Sequence, residues 1–251
     1  MVKDKLDDTT FIIPYTIDSV DRIENFNAII KYLSKNFHTH LVVVHAGPAE
    51  DMKKFMETTT KDFEFITWEF VFVNCKKGEF HRTKIINEGI RLAKTPYISI
   101  YDADCIFQEG RIYQAVEALR KGATLSYPYS GDFVDIERSY LSDGIIKKRE
   151  SLTKDSVGGA CFLNREDYIK CGGEREEFQS WCSDDVARKH IIEKLGYDVK
   201  RIEGVCYHIT HHRGPNSGPN AHTPANLAVW NQIKDMRKYE LLNYLKENSY
   251  L

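Results

Sequence analysis

Tyr97-Ile98-Ser99-Ile100-Tyr101 runs directly into Asp102-Ala103-Asp104. The first five residues form a short apolar run that reads as a buried strand, and the three that follow place two carboxylates at its end. Upstream, Lys84 to Ala93 has helical spacing and stops near Thr95-Pro96, because the residue before a proline is pushed out of the helical region. Further upstream, Phe11-Ile12-Ile13-Pro14-Tyr15 is an apolar strand. Ser19 or Asp18 is placed to cap a helix whose apolar positions are Ile23, Phe26, Ile29, Ile30 and Leu33. Leu41-Val42-Val43-Val44 is a second buried strand, ended by Gly47-Pro48, and Phe70-Val71-Phe72-Val73 is another. Continuous apolar strands separated by helices predict an α/β fold with a mostly parallel sheet flanked by helices. Ligands of such sheets bind beyond the carboxyl ends of the strands, which is where Asp18, His45 and Asp102 fall.

The second half is less regular. Tyr129 to Ser156 is long and polar and reads either as a lid or acceptor loop or as plain surface. Val157 to Leu163 is strand-like, and Arg165 to Lys170 is a short helix. Asp184 to Leu195 is a helix closed by Gly196. Gly214 to Asn220 must be a loop, and Leu227 to Leu245 reads as one amphipathic C-terminal helix. No linker separates two units, so a single domain over 1–251 is expected. Its regular first half would span 9–128, its less regular second half 129–222, and a helical extension 223–251.

The 251 residues carry 35 Lys plus Arg against 37 Asp plus Glu, a formal net charge of −2. That balance offers no general attraction for nucleic acid or an anionic membrane. No run approaches a membrane span, and the charged stretch Met1 to Thr10 is no signal segment, so a cytoplasmic location is expected, with peripheral membrane association left open. The six cysteines form no CxxC pair and read as small buried residues rather than a zinc site or a disulfide framework.

Four stretches carry chemistry. In extended chain Asp102 and Asp104 face the same side, where two carboxylates suit a hard divalent cation such as Mn²⁺ or Mg²⁺ together with a ribose or diphosphate; in a turn the same pair is simply solvated. His208-Ile209-Thr210-His211-His212 supplies imidazoles that suit Mn²⁺ or Zn²⁺, but His208 and His211 meet on one metal only if the chain turns between them. Trp181-Cys182-Ser183-Asp184-Asp185 opens a helix. One of Ser183 and Asp184 can be its cap, and a second carboxylate beside a tryptophan suits a general base for a hydroxyl. Arg82, near the start of another helix, suits a diphosphate or stands exposed.

Read in order, these pieces resemble the GT-A glycosyltransferases of family 2, and in particular the branch that shares motifs with animal β-galactosyltransferases and bacterial chondroitin polymerases. The resemblance is carried by Phe11 to Tyr15, by Phe80-x-Arg82-x-Lys84-x-x-Asn87-x-Gly89 and by Asp102-Ala103-Asp104. It continues through Gly158-Gly159-Ala160, Arg165, Tyr168, Gly172-Gly173, Phe178 to Asp185, and His208-x-x-His211. It implies a metal-dependent, inverting transfer from a nucleotide-sugar donor, UDP-linked, to a saccharide or glycoconjugate. It implies Asp104, His211 and His208 at the metal, Asp102 supporting the metal or holding the ribose, and Pro14, Tyr15 and Arg82 along the nucleotide, with Asp18 at the same sheet edge a further candidate for that side. Gly159 would admit the donor sugar, Trp181 would pack on the acceptor, Asp184 would help bind it, and Asp185 would be the base. Thr16 replaces the family's basic residue after the strand proline, Cys182-Ser183 replace its glycines, and Asp184 replaces its glutamate. Two rival classes share the residues: a metal-dependent hydrolase or nucleotidyltransferase acting on a sugar nucleotide, and a non-catalytic sugar-nucleotide-binding module.

Overall fold

A computed structural model describes residues 3–47, 63–75, 80–138, 152–214 and 216–251. The first half lays down β1 (Asp4–Tyr15), α1 (Val20–Asn36), β2 (Phe37–Ala46), β3 (Thr67–Val73), α2 (Arg82–Leu92), β4 (Tyr97–Tyr101), β5 (Cys105–Phe107) and α3 (Arg111–Arg120). After these come β6 (Leu125–Tyr127), β7 (Asp132–Ile136), β8 (Leu152–Thr153), β9 (Ala160–Asn164), α4 (Arg165–Lys170), α5 (Asp184–Leu195), β10 (Val199–Arg201), β11 (Val205–Ile209), α6 (Thr223–Asp235) and α7 (Lys238–Glu247). The main sheet has the order β10-β6-β9-β4-β1-β2-β3. All its pairings are parallel except those of β9, which runs antiparallel to both β4 and β6. The expected α/β architecture, a mostly parallel sheet flanked by helices, is therefore present. A second sheet, β5-β11-β7-β8, stands beside it.

The apolar runs account for the core. Phe11, Ile12 and Ile13 of β1 are fully buried, as are Phe26, Ile29, Ile30 and Leu33 of α1, while Ile23 is half-buried. Ser19 caps α1 by accepting from the backbone N–H of Arg22 at 3.3 Å. α2 lies so close on β1 that a Cβ at Gly89 would stand 2.3 Å from Cγ2 of Ile12, so only glycine permits the approach that sets Arg82 at the sheet edge. The six cysteines are free thiols. Among the described residues no helix is long and apolar enough to cross a membrane.

Two expectations change. The C-terminal helix is two helices, because Met236 is extended and Arg237 starts a new one, its N–H donating to Glu240 Oε2 at 2.7 Å. This is the reciprocal arm of a capping box, a local bond that competes with helix continuation. The polar segment from Tyr129 to Ser156 contains β7 and β8, which pair with each other, and β7 pairs on its other side with β11; residues 139–151 lie outside the described residues.

Candidate active site

The site is built at the carboxyl ends of β1 and β4, the end of β11, and the first turns of α2 and α5. Asp102 and Asp104 occupy a turn rather than extended chain, with the N–H of Asp102 donating to the carbonyl of Gly159 at 2.8 Å. Both carboxylates line the same cavity, but each is engaged by different partners. Asp102 accepts from Arg82 Nη2 at 2.8 Å, and Asp104 turns toward the histidines.

The antiparallel register of β5 and β11 sets His208 opposite Cys105, and the N–H of Ile209 donates to the carbonyl of Asp104 at 2.7 Å. β11 ends at Ile209, and the chain then turns, bringing His211 back to the same point. Asp104 Oδ2 lies 3.6 Å from His208 Nε2 and 3.3 Å from His211 Nε2. One ligand atom from each of the three residues falls within 4.8 Å of the others. A carboxylate and two imidazoles are a donor set that could hold a divalent metal ion. Behind it, Asp135 Oδ1 lies 2.8 Å from His208 Nδ1, the outer carboxylate that orients a metal-binding imidazole. Burial opposes protonation of His208, but Asp104 and Asp135 outweigh it and push its pKa up to about 10. Burial likewise opposes ionisation of Asp104, and the two histidines hold it well below the usual carboxylate range.

A few ångströms away, Arg82 gathers three carboxylates. Its Nη1 lies 2.6 Å from Asp184 Oδ2 and 3.4 Å from Asp185 Oδ1, and its Nη2 holds Asp102. The fork expected for a diphosphate is thus already engaged. Ser183 occupies the cap position of α5 with φ +73° and no side-chain capping bond, and Asp184 and Asp185 form the first turn. Neither carboxylate is accounted for as a cap. Burial and the adjacent Asp185 charge push Asp184 up to about 6. Burial also works against Asp185, but Arg82 and Arg188 prevail and lower its pKa.

Two cavities meet here. One, of about 270 Å³, is lined by Pro14, Tyr15, Asp18, Asp104, His208, His211 and Arg213. The other, of about 440 Å³, is lined by Gly158, Gly159, Asp184, Asp185 and Val186. Arg82, Asp102 and Trp181 belong to both walls, and Trp181 is 42% exposed there. Tyr15 reaches the first cavity from a side chain that is mostly core, tilted against Phe26 with ring centroids 4.4 Å apart. Gly159 faces the second cavity rather than the first. At φ +78° a Cβ would crowd Cys105 and Phe133 at 3.0 Å each, so packing alone demands glycine there.

Sequence reasoning passed over four contributors. Arg22 bonds Asp18 at 3.0 Å and stands 3.8 Å from Asp104 Oδ2; its signal was the i,i+4 spacing to Asp18. Arg213 is exposed on the first cavity and makes no hydrogen bond or ion pair with any described residue. Arg188 had a signal of the same kind, its i,i+3 spacing to Asp185, whereas Asp135 gave none, because folding alone brings His208 to it.

Residues 24–172 match the model of glycosyl transferase family 2. The chain belongs to glycosyl transferase family 2. The match includes Arg82, Asp102, Asp104 and Gly159, whereas Trp181, Asp184, Asp185, His208 and His211 of this glycosyltransferase lie beyond it. A solved structure of GalNAc-T7 with UDP, GalNAc and Mn²⁺ superposes with a TM-score of 0.62 at 13% identity, over 90% of this chain and 47% of that one. The family 2 chain thus spans about half of that structure, and at this identity the likeness is one of fold. A mutant Drosophila β-1,4-galactosyltransferase 7 in complex with manganese, UDP-Gal and xylobiose superposes at 0.48 with 16% identity, over 94% of this chain and 81% of that one. No curated protein matches the chain by sequence.

Proposed function

We propose that this glycosyltransferase domain moves a sugar from a nucleotide diphosphate donor, UDP-linked, onto a hydroxyl of a saccharide or glycoconjugate, with divalent-metal dependence and inversion at the anomeric carbon. The observation that carries the reading is the pair of cavities sharing one wall, with the Asp104–His208–His211 cluster in one and Asp185 in the other. Asp104, His208 and His211 would hold Mn²⁺ or Mg²⁺, which when bound neutralises charge on a leaving diphosphate. Arg213, exposed on the same cavity and without a counter-charge among the described residues, is placed to add a cationic contact to the phosphates. Pro14, Tyr15 and Asp18 line the nucleotide side. Trp181 offers a flat face to a sugar ring. In the second cavity Asp185 accepts the proton of the attacking hydroxyl, and Asp184, held by Arg82, shapes the acceptor side. With Asp185 as the base and both Asp102 and Asp184 held on Arg82, a single displacement with inversion is favoured. Within one domain, 9–128 is the nucleotide-binding half, supplying Pro14, Tyr15, Asp18 and Asp104, and 129–222 is the acceptor and catalytic half, supplying Trp181 and Asp185 while also lending His208, His211 and Arg213 to the donor side; 223–251 packs behind α5.

Thermal unfolding against UDP, GDP, CMP and UDP-hexoses, each with and without Mn²⁺, tests the donor reading. A ligand at about 100 times its dissociation constant adds roughly 2.7 kcal/mol to the native state. Stabilisation by UDP or a UDP-hexose that needs Mn²⁺ and vanishes in Asp104→Ala is expected. If no nucleotide stabilises the protein with any divalent metal, the donor site is misassigned. UDP release that is equally fast with and without saccharide acceptors would favour a hydrolase instead.

A further inference from the structure

Behind Asp185 lies an ion pair that the proposed chemistry does not use. The Arg188 side chain is 1% exposed and that of Glu174 is 2% exposed. Arg188 Nε donates to Glu174 Oε1 at 2.5 Å, and its Nη1 donates to Asp185 Oδ1 at 2.8 Å. Glu174 is fixed in turn: it accepts from the Tyr168 hydroxyl at 2.6 Å, and its N–H donates to Asn87 Oδ1 at 2.9 Å. A buried ion pair is weak evidence for stability, since well-packed apolar residues often serve as well. Glu174 would balance the Arg188 charge without any contact to Asp185.

The two oxygens of Asp185 are not equivalent. Oδ1 receives Arg188 from behind and Arg82 at 3.4 Å from the side. Oδ2 makes no hydrogen bond with any described residue. It lies against Gly158, where a Cβ would stand only 3.3 Å from it. Gly158 is itself pinned by the Tyr129 hydroxyl, which donates to its carbonyl at 2.7 Å. We infer that Arg188, braced by Glu174, is a positioning residue that anchors Asp185 through Oδ1 and leaves Oδ2 facing the acceptor cavity as the proton-accepting oxygen.

This rests on the reading of Asp185 as the base. The ionisable groups around that carboxylate are Arg82 on α2, Asp102 after β4, Asp184 and Arg188 on its own helix, Cys161 on β9, and Tyr127 and Tyr129 at β6. The two arginines are the cations among them, so removing one weakens the ionised state of Asp185.

The test uses the full chain with Glu174→Gln and Arg188→Gln combined, which removes both buried charges at once. With ¹³Cγ-labelled aspartate, the Asp185 resonance, identified by its loss in Asp185→Asn, should titrate at least about one pH unit higher in the double variant. UDP release from UDP-galactose, UDP-glucose and their N-acetylamino forms, with p-nitrophenyl hexosides as acceptors, should show kcat reduced about tenfold or more at unchanged donor KM. An unmoved titration with full kcat overturns the inference. If the double variant does not fold, Arg188→Lys decides: it keeps the charge beside Glu174 but lacks the fork, and a wild-type kcat there also overturns the inference. Asp185→Asn separates the two claims. If it is inactive while the Arg188 variants are fully active, only the positioning role falls; if it is fully active, the base reading falls and the inference falls with it.

Discussion

The metal corner and the arginine corner of this site use the same residue type for different work. Asp104 converges with two imidazoles, and the nearest arginine nitrogen stands 3.8 Å from its Oδ2. Asp102, Asp184 and Asp185 instead surround the Arg82 guanidinium, which lies in direct contact with all three. Asp104 thus has the neighbours of a metal ligand, whereas Asp102, Asp184 and Asp185 are held on an arginine. What a carboxylate does here follows from its partners: the imidazoles beside Asp104 can give up their protons to a metal, whereas the arginine that holds the other three stays charged.

That contrast breaks most visibly at Asp185. Asp185→Asn should lower turnover by about 10²–10⁴-fold while leaving the Mn²⁺-dependent stabilisation by UDP intact. Loss of nucleotide binding in this variant would merge the two corners into one functional unit. Next in size, Asp135→Ala should weaken Mn²⁺ binding by about 10–100-fold, read by metal titration, because it releases the ring of His208 without removing a ligand. Unchanged affinity would mean that the histidine is oriented by the strand alone.

Asp184 sharpens the comparison through pH. Its folded pKa is raised from 3.8 to about 6, so the unfolded chain ionises first as pH rises, and stability is lost across that window. Asp184→Asn should therefore stabilise the apo protein by roughly 1–3 kcal/mol at about pH 7.5, with most of the gain gone near pH 4.5, as measured by denaturant unfolding. Destabilisation at both pH values would show that Arg82 needs a charged partner there. The smallest effect belongs to Ser183, held at φ +73° between Cys182 at φ +107° and Asp184. Ser183→Gly should raise stability by about 1 kcal/mol in a thermal melt, because glycine adopts that backbone without a Cβ clash.

Much of this molecule was legible locally. β4, α4 and α5 occupy the residues that their periodicity indicates, because a buried strand and an amphipathic helix each announce themselves within one turn or one pleat. The break at Met236-Arg237 escaped notice because apolar spacing continues across it, and the capping contact to Glu240 outweighs that spacing. β7 escaped because it is held by pairing with β11, about seventy residues along the chain, and with the two-residue strand β8.

The sequence by itself determined the fold class, the sheet edge that carries the chemistry, and a short list of residues able to perform it. Apolar periodicity and residue type are local properties. Only the tertiary structure decided what each of those residues does. Arg82 meets Asp184 and Asp185 about a hundred positions away, and His208 meets Asp104 across an antiparallel register. Coulombic and hydrogen-bond energies depend on distance in space, and chain separation says nothing about that distance until the strands have paired.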